Sequence, residues 1–196
     1  MITSKAELKE ILVYEAKKYD IIPGFIGGVY GGIRLIAGSE RQIIWMFQKR
    51  LRKTEYYYNS GKRIRYKISL MLLNRFRNRY GLHIELNVCD KGLKIMHLGS
   101  ILTNPRTKIG KDVSLHINTA FVAQGVSDDA PVIGDRVVVG IGATIVGGVK
   151  IANNVAVGAG AVVVKDILEE NIAVAGVPAK KVSDNGREKW NTKINK

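Results

Sequence analysis

Cysteine, proline and acidic residues are scarce in this chain. Its 196 residues include one cysteine, four prolines and 17 Asp and Glu. The single cysteine, Cys89, cannot form an intrachain disulfide, so a disulfide-stabilised extracellular scaffold is excluded. A lone cysteine without a recognisable motif is more often inert than catalytic, and we assign Cys89 no nucleophilic role.

Long hydrophobic runs are also missing. The most apolar stretch, residues 21–36, is interrupted by Pro23, Arg34 and five glycines, which argues against a transmembrane helix. The first ten residues, MITSKAELKE, are polar and do not resemble a signal peptide. We therefore expect a cytoplasmic protein, at most peripheral at the inner face of a membrane.

Positive charge, by contrast, is abundant and unevenly distributed. The net charge is +14, and eleven of the 31 Lys and Arg lie in 47–80, where Glu55 is the single acid. Such a segment suits an anionic partner, and we expect contact with a membrane surface or a polyanionic glycan through 47–80. Three consecutive tyrosines at 56–58 could stack on bases, but nothing in the C-terminal half fits such a binder, so no nucleic-acid partner is expected.

The first eighty residues have helical periodicity. Ser4 and Glu7 have the spacing of a capping box, and apolar residues recur every three or four positions after them, which predicts a helix over 5–19. Two basic amphipathic helices are predicted over 39–58 and 63–80, the second ended by a glycine. We assign 1–80 to an α-helical N-terminal region.

The apolar period changes to six from residue 109 onward, which neither a helix nor an alternating strand explains. Small or β-branched residues recur at the fifth position of these hexads, and only the hexad that begins at Ser127 lacks an apolar first residue. The apolar first residues, or heads, are Ile109, Leu115, Phe121, Ile133, Val139, Ile145, Ile151, Val157 and Val163.

Each hexad has the length of one short strand plus a turn, so three hexads make a triangular coil of about eighteen residues. Heads one coil apart then point inward and stack into a continuous core. Strands of a β-sandwich would alternate in period two, with less regular turns between them. The spacing therefore predicts a mainly β solenoid behind an α-helical N-terminal region, without defining its handedness.

The segments VGIGATIVGGVKIANNVAVGAGAVVVKD and AVAGVPAKKV resemble the serine acetyltransferase branch of the hexapeptide-repeat acyltransferases. Within that branch, IMHLGSI, SLHINTA and APVIGD look most like enzymes of capsule or exopolysaccharide biosynthesis. The resemblance implies a left-handed parallel β-helix over 81–182, followed by a C-terminal tail at 183–196. It also implies a homotrimer, with acetyl-CoA as co-substrate bound between subunits.

By the same resemblance, His97 is the catalytic residue. Acetyl transfer to an alcohol needs a base that removes the hydroxyl proton, and an imidazole suits that role near neutral pH. His116 lies close to one coil further on, so we expect it on a neighbouring rung, where it would orient His97 or hold the acceptor. Amides at Ala123 and Gly125 are candidate donors to the oxyanion within the cofactor site.

The resemblance also implies residues that bind the two substrates. In the AGVPAK segment, the glycine and proline fix a bend, and the lysines after it are cations suited to nucleotide phosphates. Glu85, Asp128 and Asp129 are the candidates for acceptor binding. The candidate CoA contacts, besides Ala123 and Gly125, are Gly142, Ala143, Gly160, Ala161, Gly176, Lys180 and Lys181.

Two departures from the serine acetyltransferases affect the acceptor. Met96 stands where that family has an acid before the catalytic histidine, and Ala130 stands where it has a second active-site histidine. Both positions help to hold the amino acid in that family. A saccharide hydroxyl in capsule or exopolysaccharide biosynthesis is therefore the main prediction, and serine is the alternative.

A metal enzyme on the same kind of solenoid is a weaker alternative. A γ-type carbonic anhydrase needs three zinc-binding histidines, two of them closely spaced. The three histidines here, His83, His97 and His116, are far apart in sequence. We therefore predict no metal site, and the AGVPAK segment favours CoA.

Overall fold

The N-terminal helices lie close to their predicted positions. The computed structural model describes residues 1–21, 33, 37–125 and 129–188, and the chain forms two compact units, Met1–Gly81 and Leu82–Lys196. The first unit contains the helices α1 (Lys5–Lys17), α2 (Glu40–Asn59) and α3 (Arg63–Tyr80). In the part of the chain that the structure describes, no helix combines the length and hydropathy needed to cross a bilayer.

Local hydrogen bonds define the ends of α1 and α3. Ser4 Oγ accepts the amide of Glu7, and the Glu7 carboxylate accepts the amide of Ser4, each at 3.1 Å, which confirms the capping box. Gly81 ends α3 at a φ of 72°, a left-handed conformation that glycine adopts without a Cβ clash. Ser39 precedes α2 but makes no side-chain cap bond.

A buried ionic cluster joins α1 to α2, and the helical periodicity did not predict it. Arg52 Nη2 lies 2.7 Å from Glu15 Oε1, and Arg52 Nη1 lies 3.0 Å from Glu55 Oε2. All three side chains are almost fully buried. Because an unpaired charge in such surroundings is costly, these contacts hold α1 and α2 in one arrangement.

The second unit is built from short, mostly parallel strands in three sheets, which we call A, B and C. Sheet A has the order β1-β3-β6-β9-β12, sheet B the order β10-β7-β4 and sheet C the order β14-β13-β11-β8-β5-β2. The strands are β1 (Leu82–His83), β2 (Lys94–Ile95), β3 (Ile101–Thr103), β4 (Lys108–Ile109), β5 (Ser114–Leu115), β6 (Thr119–Val122), β7 (Val132–Ile133), β8 (Val138–Val139), β9 (Thr144–Val146), β10 (Lys150–Ile151), β11 (Ala156–Val157), β12 (Val162–Val163), β13 (Ala173–Ala175) and β14 (Lys180–Ser183).

Consecutive strands from β4 to β12 visit sheets B, C and A in turn, so this part of the chain winds as a three-sided coil. All nine hexad heads are at most 3% exposed, which confirms that they form the core. Val139 pairs with Val157, at a spacing of 18 residues, whereas Leu115 pairs with Val139, at a spacing of 24. The wider spacing includes the hexad that begins at Ser127, which has no apolar head; residues 126–128 lie outside the described part of the chain.

Because the strands are short, helical residues outnumber strand residues in the described part of this chain. The helices have 13, 20 and 18 residues, whereas no strand exceeds four. The helices therefore hold more residues than the strands, although the second unit is built from sheets. Turns supply the remaining length of each coil.

Residues 180–188 fold back onto the coil. β14 pairs antiparallel with β13, and the predicted boundary at 182 falls inside β14. Further on, Arg187 donates to the carbonyl of Asp112 and to Ser114 Oγ. Residues just after 182 are therefore attached to sheet C.

Replacing the buried Arg52 tests the ionic cluster. We expect Arg52→Met to lower the free energy of unfolding by about 3–5 kcal/mol at neutral pH, because two carboxylates remain buried without their cation. The measurement is urea unfolding followed by circular dichroism at 222 nm, which reports on the helices. Arg41→Met is the matched control, since its pair with Asp20 is well exposed and should contribute little. Equal losses in the two variants would contradict this account.

Candidate active site

Turns from sheet C to sheet A form one edge of the coil, which we call the C–A edge. These turns are residues 96–100, 116–118, 140–143 and 158–161. Gly176 follows the last parallel strand of sheet C and extends the same edge. Both candidate catalytic histidines and most of the candidate CoA-binding residues lie here.

His97 and His116 lie on neighbouring turns of the C–A edge, which confirms the expected placement on adjacent rungs. Ile95 pairs with Leu115, so the residues that follow these two enter the edge side by side. The centroids of the two imidazole rings are 6.4 Å apart. His97 is exposed and His116 is half-buried, so a solute has better access to His97.

Burial lowers the pKa of His116 below its ordinary value of 6.5, and the positive charge of His97 lowers this pKa further. Both effects disfavour a second cation at the edge. His116 is therefore neutral near neutral pH, with one ring nitrogen as donor and the other as acceptor.

Two positions that sequence reasoning did not assign to the site hold the histidine turns in place. Thr119 Oγ1 donates to the carbonyl of His116 at 3.0 Å. Gly99 lies so close to the next coil that a Cβ there would be 2.9 Å from Ile117 Cγ2. In the sequence, Thr119 lies three residues after His116 and Gly99 lies two residues after His97. These spacings are the signals that could have indicated both roles.

Small residues continue the row of His116 along the C–A edge. The pairing of sheet C places Gly140, Gly158 and Ala175 after His116, on successive coils. A Cβ on Gly140 would be 2.7 Å from the amide nitrogen of Ala159, and one on Gly158 would be 2.9 Å from Ala175 Cβ. From Gly140 to Ala175 the row therefore carries nothing larger than a methyl group, over roughly 10 Å at about 4.8 Å per coil.

The turn glycines predicted to contact CoA have a structural role of their own. Gly142 and Gly160 have φ values of +71° and +66°, which L side chains rarely adopt. Their amides donate to the carbonyls of Ile117 and Ile141, respectively. An added Cβ would meet nothing closer than 3.9 Å at either glycine, so a ligand could still approach both.

Ala143 and Ala161, which are also predicted to contact CoA, have a structural role in the coil. Both side chains are fully buried in the core. Their amides donate to the carbonyls of Gly140 and Gly158, and their carbonyls accept from Ala120 and Thr144. The coil therefore uses the side chain and the amide of each alanine, and contact of these two residues with CoA stays a prediction.

The AGVPAK segment closes the C–A edge at the last coil. The carbonyl of Gly176 accepts the amide of Val162, and the amide of Ala179 donates to the carbonyl of Val162. Gly176 and Lys180 are exposed. Both therefore remain candidates for contact with a nucleotide.

The two lysines of this segment differ in their partners. Lys181 Nζ lies 2.5 Å from Glu169 Oε1 and 2.6 Å from Asp184 Oδ1. Hydrogen bonds to Asp184 and Glu169 raise the pKa of Lys181. Lys180 makes no ion pair with the residues that the structure describes, so it is the better candidate for binding a phosphate.

The remaining candidates lie at the opposite edge of sheet A, the A–B edge. Glu85 follows β1, and Ala123, Gly125 and Asp129 follow β6. The four residues of β6 span roughly 13 Å between this edge and the turn of His116. One chain therefore does not bring these residues together with the histidines. Asp128 lies outside the described residues.

Metal-binding side chains do not gather at either edge. Across residues 1–21, 33, 37–125 and 129–188, no group of three His, Cys, Asp or Glu side chains could hold a metal ion. His83 lies on sheet A, where it pairs with Leu102.

Comparison with solved structures identifies the architecture. Serine acetyltransferase from Brucella abortus strain S19 matches with a TM-score of 0.69 and 21% identity over 93% of this chain and 72% of that chain. The same enzyme in complex with coenzyme A gives 0.68 and 22%, over 93% and 70%. The soybean serine acetyltransferase apoenzyme gives 0.68 and 23%, over 89% and 69%.

The chain has the fold of the serine acetyltransferases. No protein-family model matches the sequence, and no curated protein matches it. At these identities the likeness establishes the fold alone. The predicted closeness to capsule or exopolysaccharide enzymes stays a prediction.

The histidine pair makes a prediction about proton binding. In a histidine NMR titration, we expect His116 to titrate below 6.5. In His97→Gln the pKa of His116 should rise but remain below 6.5, because burial is the larger cause. A pKa of His116 at or above 6.5 in the native protein would contradict this environment.

The lowered pKa of His116 also makes the stability of the folded protein depend on pH. A folded-state pKa below the unfolded value means that the unfolded chain binds more protons. The contribution of His116 to stability is therefore present above pH 6.5 and is lost as the pH falls through the folded-state pKa.

Proposed function

We propose that the protein is an acetyl-CoA-dependent O-acetyltransferase with His97 as its general base. The observation that carries this proposal is the histidine pair, with ring centroids 6.4 Å apart, at one edge of a serine acetyltransferase fold. His97 is the exposed member of the pair, so an acceptor can reach its imidazole.

Coenzyme A fits the residues of the C–A edge. One structural neighbour is a serine acetyltransferase in complex with coenzyme A. In this chain, the row of glycine and alanine after His116 lets a long, narrow ligand approach the main chain. Lys180, exposed at the far end of the row, supplies a cation for its phosphates.

His97 acts on the acceptor hydroxyl. Its neutral imidazole removes the hydroxyl proton while the oxygen attacks the carbonyl carbon of the acetyl thioester. The C–S bond then breaks, and CoA leaves as a thiolate that can take the proton back from the His97 imidazolium. Attack is direct, so no acyl-enzyme forms. His116, neutral because its pKa is lowered, orients the acceptor or the His97 ring by hydrogen bonding.

Serine is the acceptor that the structural neighbours favour, since they are serine acetyltransferases. The saccharide hydroxyl predicted from the sequence is the second candidate. Its support is Met96, which cannot pair with the ammonium of an amino acid as an acid would, and Ala130, which cannot form the hydrogen bonds of a histidine. An assay of CoA release with serine and with saccharides distinguishes these two acceptors.

We further propose a homotrimer of left-handed β-helices, with CoA bound between subunits. Aliphatic side chains stay exposed on and beside sheet A: Leu102 of β3 is 47% accessible, and Val164, directly after β12, is 46% accessible. Pairing of such faces would bury apolar surface. It would also bring the A–B edge of one copy, with Ala123 and Gly125, towards the histidines of another.

Replacing His97 tests the proposed base. We measure CoA release from acetyl-CoA with serine and with a panel of amino sugars, nucleotide sugars and capsule oligosaccharides. For the accepted compound, His97→Ala should lower kcat/KM by about 100- to 10,000-fold, the usual contribution of a general base. The control Lys108→Ala, on the outer face of sheet B, should keep full activity.

The outcomes of this assay are distinct. Serine turnover identifies an amino-acid acceptor, and saccharide turnover identifies a glycan O-acetyltransferase. Acceptor-dependent release that survives His97→Ala would show that His97 is not the base. Absence of acceptor-dependent release across the panel would count against acetyl transfer itself.

Replacing the tail lysines tests phosphate binding. We expect Lys180→Ala to raise KM for acetyl-CoA about fivefold to tenfold, with kcat little changed, because the cation contributes to ground-state binding. Lys181→Ala is the matched control and should change KM less, since Glu169 and Asp184 already hold that ammonium. A larger effect at Lys181 would reverse the assignment.

A further inference from the structure

The outward face of α3 carries apolar side chains where a solvent-exposed helix normally carries polar ones. The side of α3 turned into the first unit buries Ser69, Leu73 and Arg77. On the opposite side, Ile64, Ile68 and Met71 are 78%, 54% and 54% exposed. Their spacing of four and three residues places them in one stripe along the helix.

Cations flank this stripe, and α3 itself contains no acid. α3 contains six Arg and Lys and no Asp or Glu. Arg63, Arg65, Lys67, Arg75 and Arg79 are exposed. The face therefore combines a narrow apolar centre with a positive border over about five turns of helix.

A cavity of about 360 Å³ opens at the N-terminal end of α3. The rings of Tyr58 and Tyr66 lie there with their centroids 5.2 Å apart. Tyrosine rings are enriched at membrane–water interfaces, and guanidinium and ammonium groups bind phosphate oxygens. The cavity is lined by Tyr57, Tyr58, Gly61, Arg63, Tyr66 and Lys67.

We propose that α3 lies on an anionic phospholipid surface, with Ile64, Ile68 and Met71 in the acyl-chain boundary and the flanking cations on lipid phosphates. This is the arrangement of interfacial amphipathic helices. The adjoining tyrosine-lined cavity then receives a lipid headgroup. This arrangement places the apolar side chains beside the acyl chains and the cations beside the phosphates.

Other occupants account for only part of this surface. A second copy of α3 would bring its five exposed cations against the five of the first copy, and like charges repel. A nucleic acid or an acidic glycan would pair with the cations but would leave the two isoleucines and the methionine in water. An anionic bilayer accounts for the charge and for the apolar stripe together.

Vesicle flotation tests the proposal. The full chain is mixed with vesicles of phosphatidylcholine alone or of phosphatidylcholine and phosphatidylglycerol at about three to one, near 0.1 M salt. We expect binding to the anionic vesicles and little to the neutral ones. The variant Ile64→Ser/Met71→Ser, which keeps every charge, should bind about tenfold more weakly because its apolar contact is reduced.

Two controls separate lipid binding from general charge effects. Val13→Ser/Val132→Ser removes two exposed valines elsewhere and should bind like the native chain. Glycerol phosphate in solution presents the headgroup chemistry without a bilayer and should not displace the protein. Circular dichroism at 222 nm verifies that both variants keep their helices.

Three results would overturn the proposal. They are equal binding to neutral and anionic vesicles, unchanged binding of Ile64→Ser/Met71→Ser, and tighter binding to an RNA oligonucleotide or heparin than to the anionic vesicles. The proposal concerns the first unit alone, so its failure would leave the proposed acetyl transfer untouched, and inactivity in the acetyl-transfer assay would not affect it.

Discussion

Parallel pairing between residues one coil apart is the constraint on which the second unit depends. Each strand has only two to four residues, so it cannot be stable alone and needs the strands above and below it. Pairing at a spacing of 18 residues, as between Val139 and Val157, stacks the hexad heads and fills the core. The same pairing aligns the turns, so side chains distant in sequence, such as His97 and His116, reach one edge. The site is thus a consequence of the register.

Close approach of successive turns explains the composition of the C–A edge. At Gly140, a Cβ would collide with main-chain atoms of the next coil, and main chain cannot move aside as a flexible side chain can. Glycine is therefore required there by packing, before any ligand is considered. Gly110 and Gly134, which follow β4 and β7 in the turns from sheet B to sheet C, are packed just as closely. A glycine at Gly140 therefore serves the fold whether or not a ligand binds beside it.

Particular residues show what the sequence could and could not predict. The heads and the capping box follow from local patterns, and both are confirmed because period and spacing act within one coil or one helix turn. For Ala143 and Ala161 the sequence pattern is ambiguous, since a small residue suits the core and the edge equally, and the structure shows that both side chains lie in the core. The Arg52 cluster was missed because Glu15 and Arg52 lie 37 residues apart. The apolar stripe of α3 was missed because periodicity cannot tell which face the neighbouring helices cover.

The short distance between the imidazoles of His97 and His116 determines which of them can hold a proton during the proposed transfer. When His97 takes the proton of the acceptor, its new charge makes protonation of His116, which is already disfavoured by burial, less favourable still. His116 therefore cannot serve as a second acid in the same step. None is needed, because a thiolate is a good leaving group near neutral pH, where thiols with a pKa of about 8.5 are partly ionised. One base, His97, is therefore sufficient for the proposed transfer. Because His116 stays uncharged beside it, His116 does not oppose the positive charge that develops on His97.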